Sequence, residues 1–262
     1  MDDNKALKVD QSASIVGTIQ DVTGRSTDLG VFGYKSLGLI RTQADADAII
    51  AQRAAAAGGA ANVKILGQPL QPGMINYEDV NGDGVISTDL KDQSYVKARQ
   101  NNHNSLGLNF SVGYKGLNLN VIMGMSWGGW TSIDGLKPAN QSSSSTGASI
   151  YDNRAVYWVD HWTPTNTTAA YPNPFFRTNF EANSDFWLVS ATSFNVSSLN
   201  LSYSIPTRFA NKIGMSSARV YAVATNPIQF INPFPDGYRD LATSLYSYPT
   251  LKTWSFGINV GF

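Results

Sequence analysis

From Leu106 onward the chain alternates with a period of two. Leu106, Leu108, Phe110, Val112 and Tyr114 alternate with Gly107, Asn109, Ser111 and Gly113. After Lys115-Gly116, Leu117, Leu119, Val121, Met123, Met125 and Trp127 alternate with Asn118, Asn120, Ile122, Gly124 and Ser126. One apolar face per run, with a tight turn between the runs, predicts a hairpin of two long strands. Each run is about ten residues, the length a tilted strand needs to cross a bilayer. Farther on, Leu199, Leu201, Tyr203 and Ile205 share one face, while Phe194 and Val196 have the opposite parity. The phase slip at Ser197-Ser198 predicts a β-bulge. Residues 206–214 read as a short turn with room for one helical turn. Residues 217–230 read as another strand, with two faces that the pattern does not distinguish. The final segment is the clearest. Trp254, Phe256, Ile258, Val260 and Phe262 lie on one face, and Thr253, Ser255, Gly257, Asn259 and Gly261 on the other.

Between these strands the connections are unequal. Lys115-Gly116 and residues 206–214 are short. Residues 131–184 are long and polar, with the run Gln141–Thr146, and residues 231–249 form a second long loop rich in Pro, Asp and Tyr. A long irregular loop is uncommon inside a compact domain and ordinary on the outer side of a membrane barrel. Residues 1–100 show no comparable alternation. Within them, 30–40 fit a strand or an ordered loop. Residues 42–57 carry the one good helix signal: Thr42 as N-cap, Asp45 in the first turn, an Ala-rich body, and Gly58-Gly59 as the stop. Met1–Asp10 has neither a basic start nor an apolar run. Read as a complete chain it predicts no leader peptide, and read as a fragment it is silent on location.

Composition sharpens the choice of fold. Only 15% of the 262 residues are charged and 11% are aromatic. No run approaches the roughly 18 apolar residues of a membrane helix. Lys+Arg and Asp+Glu balance at 19 each, which argues against a nucleic-acid partner. The chain has no Cys, which excludes disulfides, thiolate metal sites and thiol chemistry. The predicted fold is all-β: an antiparallel transmembrane β-barrel with an apolar, aromatic stripe toward lipid and a small polar stripe toward a lumen, long extracellular loops and one short helix. About five or six strands do not close a barrel whose smallest examples have about eight, so the strands are read as an arc of a larger one. On this reading residues 1–105 are an extracellular loop region with the short helix, and residues 106–262 carry the barrel strands and their loops.

One constellation carries metal chemistry. Asp79, Asn81 and Asp83 occupy positions 1, 3 and 5 of a calcium-type loop, with Gly84 at the sharp turn. Val85 offers a backbone carbonyl at position 7 and Ser87 stands at position 9. Alternate residues converge there because Ca²⁺ takes several oxygens at about 2.3–2.6 Å. At position 12, where a bidentate acid belongs, stands Leu90. Asp89 or Asp92 substitutes if the loop distorts. The expected ligand set is Asp79, Asn81, Asp83, Val85, Ser87 and Asp89, and the expected role of Ca²⁺ is to brace the loop. The competing reading is a metal-free loop of Asx-turns.

In their order along the chain these residues resemble a known family. Phe32–Gly38, Pro72-Gly73, the stretch 77–86, 109–116, Trp162-Thr163-Pro164 with Tyr171-Pro172, 194–206, 218–221 with Asn226, and 256–262 are similar to successive landmarks of SusC/RagA-type TonB-dependent outer-membrane transporters of Bacteroidota. Asn195 and His161 stand where that family usually has Arg. The resemblance implies that the chain is the C-terminal portion of a 22-stranded barrel. It implies partners as well: the rest of the same barrel and its plug, outer-membrane lipid, a SusD-like surface lipoprotein acting as lid, and the TonB complex reached through an N-terminal part. The implied activity is import of glycans or peptides across the outer membrane of a Gram-negative bacterium. The implied role of the strand Trp254, Phe256, Ile258, Val260 and Phe262 is recognition by the barrel-assembly machinery.

Two other functions fit some of the residues. A secreted β-sandwich module, braced by calcium and binding carbohydrate, suits the loop and the aromatics Trp127, Trp130, Trp158, Trp162 and Tyr171. It leaves the apolar stripe of the last strand without a covering sheet. Interface girdles are the plainer role for most of those aromatics. An enzyme is not expected, because two His and scattered acids form no triad, zinc motif or phosphate loop.

Overall fold

The computed structural model describes residues 30–97, 99–133, 160–232, 234 and 250–262. Met1–Asp10, the run Gln141–Thr146, Trp158 and most of the second long loop lie outside them. In chain order the strands are β1 (Phe32–Tyr34), β2 (Ser36–Leu39), β3 (Lys64–Ile65), β4 (Gln68–Pro69), β5 (Ile75–Tyr77), β6 (Gln93–Tyr95), β7 (Asn104–Tyr114), β8 (Leu117–Trp127), β9 (Trp130–Ser132), β10 (Leu188–Ser190), β11 (Ser193–Ile205), β12 (Ser217–Ile231) and β13 (Thr253–Gly261). The longest helix, α1, spans Gln43–Arg53. Two compact units result, one of residues 1–101 and 130–189, the other of 102–129 and 190–262.

The first unit is irregular and held by a core. Its strands are short and pair two by two: β1 with β6, β2 with β5, β3 with β4. Tyr77, Ile40, Ile65, Met74, Ile75, Ile86, Phe180 and Trp187 are fully buried. Most polar groups inside are paired, as burial demands; Arg53 Nη1, Gln68 Oε1, Asp92 Oδ1 and Ser184 Oγ are not. The Asn179 side chain accepts from the Ile75 amide at 2.7 Å and donates to the Ile75 carbonyl at 2.9 Å, so it bonds a strand as a neighbouring strand would. Tyr77 donates to the Asn179 carbonyl at 2.7 Å, and Trp187 Nε1 donates to the Phe180 carbonyl at 2.9 Å. Helix α1 begins at the expected N-cap, Thr42, and Asp45 closes a capping box with it. The Asp45 amide donates to Thr42 Oγ1 at 3.2 Å, and the Thr42 amide donates to Asp45 Oδ2 at 2.9 Å. The region 30–40 resolves into β1 and β2.

The second unit is one antiparallel sheet of five strands in the order β13-β12-β11-β8-β7. The β7–β8 turn is Lys115-Gly116, with φ of 47° and 88°, the double positive φ of the turn that suits a twisted hairpin. The predicted phase slip is a bulge: the pairing of β11 shifts between Val196 and Ser198 toward both neighbours. The extra residue, Ser197, brings Phe194 and Val196 back onto the face of Leu199 and Leu201, because Val196 pairs with Met123 and Leu199 with Val121. The turn after β11 is a helical turn, Thr207–Ala210, followed by a 3₁₀ turn that ends at Gly214. The two faces of β12 become distinct. Ala218, Val220, Ala222 and Ala224 pair opposite Val260, Ile258, Phe256 and Trp254. The small alanines hid this face from a pattern of large residues.

Candidate functional site

The two faces of the five-stranded sheet are chemically opposite. Following the register, Phe110–Val121–Leu199–Ala224–Trp254 and Val112–Leu119–Leu201–Ala222–Phe256 form apolar rows that cross every strand. The rows between them on the other face read Ser111–Asn120–Asn200–Val223–Ser255 and Gly113–Asn118–Ser202–Tyr221–Gly257. On that face Asn120 donates to Asn109 at 2.9 Å and Arg219 donates to Ser202 Oγ at 2.8 Å. The Tyr221 ring covers Gly257, where a side chain would clash. Near the ends of β8 and β11, Asn102, Ser126, Ser193, Asn195, Gln229 and Lys252 line a cavity of about 390 Å³.

The apolar face is exposed on a scale that water does not tolerate. Phe110 is 53% exposed, Phe256 79% and Phe262 88%. Monomeric soluble proteins rarely present contiguous apolar patches beyond a few hundred Å². The strands run 11, 11, 13, 15 and 9 residues, enough to span the roughly 30 Å of a hydrocarbon core. Among the described residues no helix is long and apolar enough to cross a membrane. Trp254, Phe256, Ile258, Val260 and Phe262 sit where the alternation placed them, on the apolar side of the terminal strand β13.

The calcium-type loop lies in the first unit beneath the end of α1. Asp79 accepts from the amides of Gly82 and Gly84 at 2.8 and 2.7 Å. Asn81 accepts from the Asp83 amide, and Asp83 from the Val85 amide, both at 2.9 Å. Gly84 is obligatory here: its φ is 82°, and a Cβ would stand 2.6 Å from the Arg53 carbonyl. The expected ligand Asp89 turns outward, accepting from Ser87 Oγ and pairing with Lys91 at 3.1 Å. Ser87 and Lys91 hold its carboxyl below the usual range. Asp92, absent from the expected ligand set, is fully buried. Its Oδ2 accepts from the Ser87 amide at 3.1 Å and its Oδ1 has no partner. Burial, and then the charges of Asp79 and Asp83, push its carboxyl up. Arg53 donates to the Tyr77 carbonyl at 2.7 Å. Among the described residues no three His, Cys, Asp or Glu side chains gather as a metal cluster. The hydrogen-bonded turns supply the geometry of the metal-free reading.

The loop aromatics have separate fates. Trp162 and Tyr171 are buried. Trp162 Nε1 donates to the Arg41 carbonyl at 3.0 Å, and Tyr171 stacks on Trp187 at 6.1 Å. Both belong to the core of the first unit, which removes them as sugar-stacking or girdle residues. Trp130 is half-buried with Lys97 over its ring at 4.1 Å, and Trp127 is exposed at the end of β8. The buried pair gave no sequence signal, since its partners lie far along the chain.

A two-faced antiparallel sheet with strands of membrane-crossing length has the alternation found in the walls of β-barrel membrane proteins. The comparisons with known proteins point the same way. No family model matches the chain. TonB-dependent receptor P3 of Formosa agariphila is 24% identical over 204 residues, which cover 73% of this chain and 19% of the relative. The solved RagAB peptide transporter aligns over 92% of this chain and 24% of its own with a TM-score of 0.58 at 16% identity. The RagAB peptide importer in its closed-closed state aligns over 91% and 24%, also with a TM-score of 0.58 at 16% identity. The chain spans about a fifth of the length of the curated relative. Sequence relative and structural neighbours bear out the resemblance: this chain is similar to a portion of a SusC/RagA-type TonB-dependent transporter. The proteins it resembles are a receptor and transporters, none of them an enzyme.

Proposed function

We propose that this chain is part of a TonB-dependent importer in the outer membrane of a Gram-negative bacterium of the Bacteroidota. Strands β7, β8 and β11–β13 form one arc of its barrel wall. The observation that carries this reading is the continuous apolar face across all five strands, backed by a face of Asn, Ser and Gly. Lipid covers the first face, and the second lines a water-filled lumen. The rest of the barrel, with its plug, supplies strands to β7 and β13, the two edges of the sheet. The cargo is a peptide or a glycan. The likeness to the RagAB peptide importer supports a peptide, and a SusD-like surface lipoprotein is the partner that this likeness supports. The TonB complex supplies the energy through another part of the protein.

The test is alternate-site labelling of the full-length protein in native outer membranes. Cysteines at positions 108, 110 and 112 are expected to react with a lipid-soluble maleimide and to resist a charged one. Cysteines at positions 109 and 111 are expected to do the reverse. Equal labelling along β7, or recovery of the protein in a soluble fraction, sinks the reading. Uptake of labelled peptide and oligosaccharide pools by cells with and without the gene then decides the cargo.

A further inference from the structure

The polar face of the five-stranded sheet is uneven along its length. At the end away from the Lys115-Gly116 turn, the register lines up Gly107–Gly124–Asn195–Gln229 as one row and Ser105–Ser126–Ser193 as the next. A Cβ on Gly107 would meet no neighbour within 4 Å, and one on Gly124 would meet only Asn195 Oδ1, at 3.6 Å. Neither glycine is required by a positive φ or a crowded neighbour, so the pair leaves an open strip of backbone leading to Asn195. Glycine inside a strand often marks a place where a ligand approaches the backbone closely. The wall beside that strip is already fixed. Asn102 donates to Ser126 Oγ at 2.9 Å and to the Ala191 carbonyl at 2.7 Å, and it accepts from the Gly129 amide at 2.9 Å. The Ser126 and Ser193 hydroxyls lie 3.0 Å apart. Asn195 and Lys252 line the same cavity of about 390 Å³, yet their side chains make no hydrogen bond or ion pair among the described residues. That volume falls within the range of small-ligand sites.

Charge points the same way. The described residues of 102–129 and 190–262 include Lys115, Arg208, Lys212, Arg219 and Lys252 and no Asp or Glu, although the whole chain balances 19 against 19. Arg219 is engaged by Ser202, and Lys115, Arg208 and Lys212 sit on the two short turns. Lys252 is the one charged side chain in the cavity lining. A cleft lined by one sign of charge concentrates ligands of the other. We infer that the cavity is a cargo subsite for a carboxylate. Lys252 supplies the counter-charge through a charge-assisted hydrogen bond, and the Asn195 amide supplies a neutral donor beside it. The carboxylate belongs to a peptide or to a uronic acid sugar, which present the same group. The inference rests on the importer reading, in which the polar face lines the lumen and the long connections lead outward.

The test is calorimetric titration of the full-length protein in detergent with two acids and their neutral forms. The probes are tetra-alanine against its C-terminal amide, and trigalacturonate against its methyl ester. Wild type is expected to bind at least one acid about tenfold tighter than its neutral form, the scale of one charge-assisted hydrogen bond. Lys252 is exposed, so its variants are expected to fold. Lys252→Gln is expected to erase the preference and to bind the neutral form as wild type does. Lys252→Arg is expected to keep most of the preference, Asn195→Ala to lower it partway, and Lys212→Gln, on the far turn, to leave it whole. Preference for the peptide acid supports the subsite with a peptide cargo, and preference for the uronate supports it with a glycan. Equal binding of acid and neutral forms by wild type overturns the subsite. So does an equal loss of both forms in Lys252→Gln, which marks a lysine that only holds the wall. The maleimide labelling of β7 is read separately, so a failed subsite and a failed barrel reading stay distinct.

Discussion

The two units of this chain use the same large apolar residues in opposite ways. In the first, Ile75, Phe180 and Trp187 are sealed in a core of short strands and loops. In the second, Leu108, Phe110 and Ile258 stand 45%, 53% and 68% exposed on a regular sheet. The first is organised against water: its apolar groups pack inward and most of its buried polar groups find partners. The second is organised the other way: its strands pair along nearly their whole length, broken at the Ser197 bulge, and one face of large apolar side chains is exposed. The difference shows that hydrophobicity alone does not locate a core. A strict period of two with small polar residues between the apolar ones gives a sheet with one apolar face, and here that face is exposed.

The comparison breaks most sharply at its two extremes. Trp187→Ala removes a ring that stacks on Tyr171 and a hydrogen bond to the Phe180 carbonyl. A loss of about 3–5 kcal/mol is expected from the cavity and the lost burial, read as a lowered denaturation midpoint of the loop region by hydrogen exchange. In the sheet, Phe110→Arg is expected to cost about 2–4 kcal/mol, the penalty of a charge facing the bilayer midplane, while the neighbouring Ser111→Arg costs little. Outer-membrane abundance and urea unfolding in lipid check the pair. Equal penalties at positions 110 and 111 abolish the two-solvent distinction.

Asn179→Ala is expected to be milder, about 1–3 kcal/mol for backbone groups of Ile75 left unsatisfied, and Asn179→Asp is expected to lose the donor half alone. Hydrogen exchange at the Ile75 amide measures both. This residue also shows what the sequence conceals. The hairpin, the bulge at Ser197, the polarity of β13 and the N-cap at Thr42 were legible, since each is written within a few neighbouring residues. The link from Asn179 to Ile75 crosses 104 positions and has no local signature. The same holds for the burial of Trp162, whose indole bonds the Arg41 carbonyl 121 positions away. The apolar face of β12 was missed for another reason: alanines fill the gaps between the large residues of β11 and β13, so alternation there is of size and not of polarity.

The smallest expected effect lies in the first unit, at the exposed start of α1. The Thr42 side chain first, and its backbone amide second, hold the Asp45 carboxyl below its usual range. Asp45 is therefore ionised in the folded helix at acidities where it is protonated in the unfolded chain. A depressed folded value means stability present above the ordinary carboxylate range and lost as pH falls through the folded value. Thr42→Ala is expected to cost about 1 kcal/mol at neutral pH, because it removes the acceptor for the Asp45 amide. Asp45→Ala is expected to weaken α1 at neutral pH and to match wild type in strong acid, where the carboxylate is gone in both. Exchange protection of the α1 amides, followed from neutral to acid pH, reads the two variants together. If Asp45→Ala keeps its deficit in acid, the box acts through packing and not charge, and the paired-polar rule drawn for this unit stops at its surface.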